Sequence, residues 1–315
     1  MSTRLRSIVR PLLVAAGLYG FFGLCGLVPV SPAAADTAKP RIALVMKSLD
    51  NEFFKDMKKS ALYYHVLNSR RFDLIVSGIP NETDSAAQIL LVKAAIADHV
   101  DAIVLAPVDS LTLIPVVKQA TDAGIDVVNI DDSLDRPKLN ALGVKVTYVG
   151  PDNRDAGRQV GAVVAAKLKK GDPVAIVEGL PTAYNGKQRV LGFDDALAEA
   201  GMRIVASRPG MWLTGTATTV AAGILKDHPE VKAILCANDS MAIGVLAALR
   251  QAGLQGKILV SGFDNIHDIQ PYLRDHEVVA TADQYGDQEA VNGIRRALSE
   301  VGQFQETEVT VVQSN

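Results

Sequence analysis

From residue 41 onward, short apolar runs alternate with longer helix-like stretches. Runs 41–46, 72–77, 101–106 and 126–130 are predicted strands, with helices over 52–68, 83–97 and 111–123 between them. The strands are rich in Val, Ile and Leu through their length, as expected when helices cover both faces of a parallel sheet. Gly124 is placed to stop the helix before it. A polar, proline-containing stretch over 131–145 breaks the rhythm, which then restarts. Strands are predicted at 173–177, 203–207, 231–236, 257–261 and 278–282, and a last one near 308–312. Helices are predicted at 152–169, 187–200, 216–226 and 241–251, a short one near 266–274, and one near 287–301. The pattern predicts an α/β fold of two doubly wound parallel-sheet lobes. In such sheets the ligand crevice lies outside the carboxyl ends of the strands.

The first 35 residues do not follow this pattern. Arg4, Arg6 and Arg10 precede an apolar run from Leu12 to about Val28, and Ala33-Ala34-Ala35 stands before Asp36. This is the plan of a cleaved signal peptide, so the protein is expected to be periplasmic. An uncleaved anchor is the alternative, because the run approaches the length that spans a bilayer. Cys25 is poorly placed for a lipoprotein signal. The mature chain then keeps a single cysteine, Cys236, in the apolar run Ala233-Ile234-Leu235-Cys236-Ala237, where a buried thiol is expected.

Composition narrows the function further. The chain has 315 residues and a net charge of −3 with its basic residues dispersed, which offers no concentrated basic face for nucleic acid. No two glycines stand two positions apart, so the dinucleotide fingerprint is missing. The stretch from Gly179 to Gly186-Lys187 fails as a phosphate loop on spacing, and Gln188 replaces its Ser or Thr. The five histidines show no metal-ligand spacing, and no nucleophile elbow is present. No cofactor, no metal site and no enzyme activity are expected.

The residues just past each predicted strand are polar and aromatic. The first strand leads into Lys47-Ser48-Leu49-Asp50-Asn51-Glu52-Phe53-Phe54, the fourth into Asp131-Asp132. Later strands lead into Glu178-Gly179, Gly210-Met211-Trp212, Asn238-Asp239, Phe263-Asp264-Asn265 and Gln284. Amides and carboxylates suit hydroxyls that both donate and accept, and aromatic faces suit the C–H surface of a sugar. Other roles are open at each position. Phe53 and Phe54 would serve equally as core residues at a helix start. Asn51, Asp50 and Asp239 would serve as helix caps. Asp131 and Asp132 would suit a turn, and Lys187 the surface.

These strand-end segments carry a resemblance. The first of them, continued by Lys55-Asp56-Met57-Lys58-Lys59, resembles the first loop and helix of periplasmic sugar-binding proteins of the ribose and allose type. Val127-Val128-Asn129-Ile130-Asp131-Asp132, Cys236-Ala237-Asn238-Asp239-Ser240-Met241-Ala242, Gly262-Phe263-Asp264 and Ala280-Thr281-Ala282-Asp283-Gln284 resemble the same family in the same order. The resemblance implies the type I periplasmic binding protein fold, with lobes over 36–150 plus about 285–308 and over 151–284 plus about 309–315. It also implies crossovers, expected near 149–152, 261–264 and 284–287, and closure over a monosaccharide. The implied partners are a sugar and an ABC permease in the inner membrane. A sensory protein that presents a signal ligand to a membrane receptor or chemoreceptor stays open as the alternative. Carried over by position, Lys47, Asn51, Asp131, Asp132, Asn238, Asp264 and Gln284 would hydrogen-bond hydroxyls. Phe54 and Trp212 would sandwich the ring, and Phe53 would line the pocket. Lys187 falls where relatives have an arginine, with Asn185 and Arg189 as nearby alternatives. Lys47, Asp132 and Lys187 depart from the Ser, Arg and Arg of the ribose type. Lys47 and the acidic pair fit the allose type better, so a hexose or polyol is expected over ribose.

Overall fold

The computed structural model describes residues 38–300 and 305–314. The signal-peptide segment, its cleavage site and Cys25 lie outside the described residues. Strands β1 (Arg41–Met46), β2 (Asp73–Gly78), β3 (Ala102–Leu105), β4 (Asp126–Ile130) and β5 (Thr147–Pro151) alternate with helices α1 (Glu52–Asn68), α2 (Ser85–Ala97), α3 (Ile114–Asp122) and α4 (Arg136–Ala141). After α5 (Asn153–Ala165) come β6 (Pro173–Glu178), α6 (Tyr184–Glu199), β7 (Arg203–Pro209), α7 (Thr214–Asp227), β8 (Ala233–Cys236) and α8 (Asp239–Gln251). The chain continues through β9 (Leu259–Ser261), α9 (Gln270–Arg274), β10 (Ala280–Asp283) and α10 (Gly286–Ala297), then β11 (Gln305–Thr307) and β12 (Thr310–Gln313).

Two six-stranded sheets result, ordered β11-β5-β4-β3-β1-β2 and β12-β10-β9-β8-β6-β7. Every pairing is parallel except β10 with β12. The central strands β3 and β8 are buried at every residue, because helices cover both sheet faces. Cys236 is buried at the end of β8.

The chain passes between sheets after β5, after β10 and between β11 and β12. The crossover expected near 261–264 is therefore corrected. β9 and β10 are neighbours in one sheet, and the third passage lies at residues 308–309. The predicted last strand near 308–312 is β12, and the three-residue β11 before it, in the other sheet, was not predicted. β5 went unpredicted because Gly150 and Pro151 interrupt it. It nonetheless pairs with both β4 and β11.

Candidate functional site

The carboxyl ends of both sheets face one small cavity. From the first lobe, β1 delivers Lys47 and the start of α1 delivers Asn51, Phe53 and Phe54. The loop after β2 delivers Glu82, and the end of β4 delivers Asp131. From the second lobe, α6 contributes Asn185 and Arg189, and the loop after β7 contributes Trp212. Asn238, Asp264 and Gln284 come after β8, β9 and β10. Eleven of these twelve side chains are buried, Asn51 being half-buried, so the cleft is shut.

Backbone strain concentrates here. Ten non-glycine residues among those described have positive φ, and seven of them lie in strand-end loops around the cleft: Ser48, Asp131, Met211, Trp212, Asp264, Asn265 and Tyr285. Such conformations cost of order 1–3 kcal/mol each and persist where the surroundings hold them. Met211 and Trp212 (φ 59° and 66°) are the central pair of a turn closed by the Leu213 N–H donating to the Gly210 carbonyl at 3.1 Å. Two positive φ values there make it a hairpin-type turn. The indole lies against Gly179, where a Cβ would stand 2.1 Å from the ring, and against Gly186, where it would stand 3.0 Å away. Phe53 packs on Gly286 in the same way, its ring 2.2 Å from a Cβ built there, and meets Phe54 edge-on at 5.1 Å.

Two charged networks form the walls. In the first lobe, Lys47 Nζ lies 2.9 Å from Asp131 Oδ2 and 5.6 Å from the Phe54 ring centre. Burial pulls the Lys47 ammonium down, but Asp131, Asp132 and Glu82 together outweigh it and hold the group charged, above its ordinary range. Glu82 is pushed up by burial against the pull of Lys47. Asn51 does two jobs. Its Oδ1 accepts from the Phe53 N–H at 3.1 Å, capping α1, while its Nδ2 donates to Glu82 at 3.2 Å.

In the second lobe, Arg189 is the hub. Its Nε donates to Asn153 Oδ1 at 2.8 Å, and Nη1 donates to the Ala237 carbonyl at 2.9 Å and to Asp264 Oδ1 at 3.3 Å. Nη2 donates to Gln284 Oε1 at 3.1 Å, and Gln284 Nε2 donates to Asp264 Oδ1 at 2.7 Å. The guanidinium stacks 3.7 Å from the Phe263 ring centre. Burial lifts Asp264 to about 7 against the opposing pull of Arg189. Asn238 accepts from the Met241 N–H at 2.9 Å as the cap of α8, and its amide reaches the Trp212 carbonyl at 3.4 Å.

Ten of the twelve residues predicted from sequence line the cavity; Lys187 and Asp132 do not. Lys187 is exposed and borders a separate surface depression. On α6 the inward face runs through Asn185 and Arg189, four residues apart, and position 187 points away from it. Asp132 is fully buried behind the wall, where it accepts from the Asn185 N–H at 2.8 Å and from the Ser110 hydroxyl at 3.2 Å. Burial raises its carboxyl to about 6. Glu82 was missed, although it lies past a predicted strand as the other site residues do.

Asp239 is no cap; the cap of α8 is Asn238. The Asp239 carboxylate instead pins the loop after β9, accepting from the Ile266 N–H at 3.0 Å and the Thr281 hydroxyl at 2.7 Å. Burial, with the Asp264 carboxylate beside it, pushes its acid well above the usual carboxylate range. The native state then keeps a proton that the unfolded chain releases. That contribution to stability is complete below the ordinary carboxylate pKa and is lost as pH rises. Asp239→Asn removes the titration. Wild type should lose stability relative to this variant as pH rises above the ordinary carboxylate range in urea unfolding, whereas a constant difference would contradict the assignment.

Comparison with known proteins agrees with this architecture. The chain matches the periplasmic binding protein domain over residues 42–301. It is 49% identical over 272 residues to the D-ribose/D-allose-binding protein of Pseudomonas aeruginosa, covering 86% of this chain and 85% of that one. The D-allose-binding periplasmic protein of Escherichia coli is 33% identical over 261 residues, covering 82% and 83%. A solved ABC transporter solute-binding protein from Actinobacillus succinogenes with bound D-allose is 36% identical, with a TM-score of 0.82 over 88% of this chain and 98% of that one. With its two parallel-sheet lobes and the cleft between their strand ends, the chain belongs to the periplasmic binding protein family, with the sugar-binding proteins of the ribose and allose type.

Proposed function

We propose that the protein is exported, cleaved before Asp36, and captures one monosaccharide of the D-allose or D-ribose kind for delivery to an ABC permease. The observation that carries this reading is the shut cavity, walled by buried amides and charges from both lobes. A small cavity walled from both lobes by buried side chains favours a single sugar ring over an oligosaccharide. The lobes comprise 36–150 with 285–308, and 151–284 with 309–315.

Asp131, Glu82 and Asp264 accept from sugar hydroxyls, while Lys47, Asn51, Arg189, Asn238 and Gln284 donate to them. Phe54 from one lobe and Trp212 from the other bracket the ring, and Phe53 closes the side. Asn185 completes the lining.

Trp212 is the only tryptophan in the chain, so its emission reports this wall alone. Titration with a panel of aldopentoses, aldohexoses and polyols should change that emission saturably for one or a few of them. A flat response to a sugar that calorimetry shows to bind would remove Trp212 from the site. No binding by any member would overturn the sugar-capture reading.

A further inference from the structure

Helix α6 begins without a cap of its own. Its N-cap position is Ala183, which offers no side-chain acceptor; Asn185 Oδ1 takes the Gly186 N–H at 2.7 Å, but the Tyr184 and Asn185 N–H groups find no acceptor within the helix start. Alanine is a poor cap because those N–H groups have no partner within the helix. The missing acceptors come from the other lobe. The Tyr184 N–H donates to Ser110 Oγ at 3.0 Å, and the Asn185 N–H donates to Asp132 Oδ1 at 2.8 Å. The Ser110 hydroxyl donates in turn to Asp132 Oδ2 at 3.2 Å. Just before the helix, the Thr182 side chain stands close to the Asp109 carboxylate.

Asp109 and Ser110 lie past β3 and Asp132 past β4, all in the first sheet, whereas residues 182–185 lie past β6 of the second. The acceptor side is fixed in advance. Asp109 Oδ1 also holds the Leu111 and Thr112 N–H groups at 2.8 and 2.6 Å. Asn129 Nδ2 donates to the Asp132 carbonyl at 2.7 Å. A carboxylate at the positive end of a helix is also favoured by the helix dipole. Opening the lobes would separate every one of the cross-lobe pairs.

We propose that Asp109, Ser110 and Asp132 form a latch that caps α6 across the cleft and sets the balance between open and closed lobes without touching the ligand. The proposal rests on the reading that the lobes close over a sugar. Closed-state stability adds to apparent affinity, because a ligand gains from every contact present only in the state it selects. Asp132→Ala should therefore weaken binding roughly ten- to a hundredfold in calorimetry, through faster dissociation, with the ranking of sugars kept. Unchanged affinity would overturn the latch. A changed ranking would make Asp132 a ligand residue and overturn it too.

A second arm needs no ligand. Asp109 and Thr182 meet across the cleft, so the double variant Asp109→Cys with Thr182→Cys forms a disulfide only when the lobes shut. The oxidation rate then reports even a rare closed state. Cys236 is buried and takes no part. Adding Asp132→Ala should slow trapping roughly tenfold or more, and adding Asp132→Asn, which keeps an acceptor oxygen, should restore most of the rate. An equal rate with Asp132→Ala, or no cross-link in any background, overturns the latch. Sugar should speed trapping when Asp132 is intact. If no sugar does, the sugar-capture reading falls, while the latch is still decided by the comparison at Asp132.

Discussion

Arg189→Ala should destabilise the ligand-free protein by about 3–5 kcal/mol, the range for removing one partner of a buried ion pair. The loss is large because the guanidinium serves Asn153, Ala237, Asp264 and Gln284 at once and stacks on Phe263. Without it the buried Asp264 carboxylate keeps only the Gln284 amide. All of these partners belong to the lobe built on the second sheet, so the effect should appear whether the cleft is open or shut. Urea unfolding followed by far-UV circular dichroism measures it. Arg189→Lys should recover only part of the loss, since an ammonium cannot reproduce the planar fork. A variant as stable as wild type would mean that Arg189 is not the hub of this wall.

Gly179→Val should disable the site without unfolding the lobe. A Cβ there would stand 2.1 Å from the indole, closer than any packing permits, so Trp212 must leave its place. The ring would then lose either its seat in the turn or its position on the cavity wall. Sugar affinity should fall roughly a hundredfold or more, about 2.8 kcal/mol, and the emission of the ligand-free protein should shift. Gly215→Ala is the matched control, because a Cβ there meets nothing within 4 Å. It should leave binding and emission as in wild type. Normal binding by Gly179→Val would show that the indole wall contributes nothing.

The fold was legible because each buried parallel strand is a short, continuous apolar run, and most helices between them are long enough to identify. Elements that fail this test were misread. β5 carries Gly150 and Pro151, and β11, only three residues long, gives no apolar run of its own. The site was legible for a related reason. Parallel strands deliver their trailing residues to one rim, so Lys47, Asp131, Asn238, Asp264 and Gln284 could be found by position alone. Lys187 failed because its place depends on where α6 begins, and the helix starts at Tyr184, three residues before the predicted start. Asp132 failed because one step along the chain reverses a side chain's direction at a strand end. Asp131 faces the cavity, and Asp132 faces α6. The positive φ values at Met211 and Trp212 leave no glycine in the sequence to mark them.

The central claim is that the shut cleft holds a single sugar ring. Calorimetric titration of the mature protein with D-allose, D-ribose and a disaccharide tests it most directly. The account predicts saturable binding of one equivalent of a monosaccharide and no measurable binding of the disaccharide, since a shut cavity walled from both lobes by buried side chains leaves a second ring nowhere to extend. A disaccharide that binds as tightly as the monosaccharide, or the absence of heat from either monosaccharide, would contradict it.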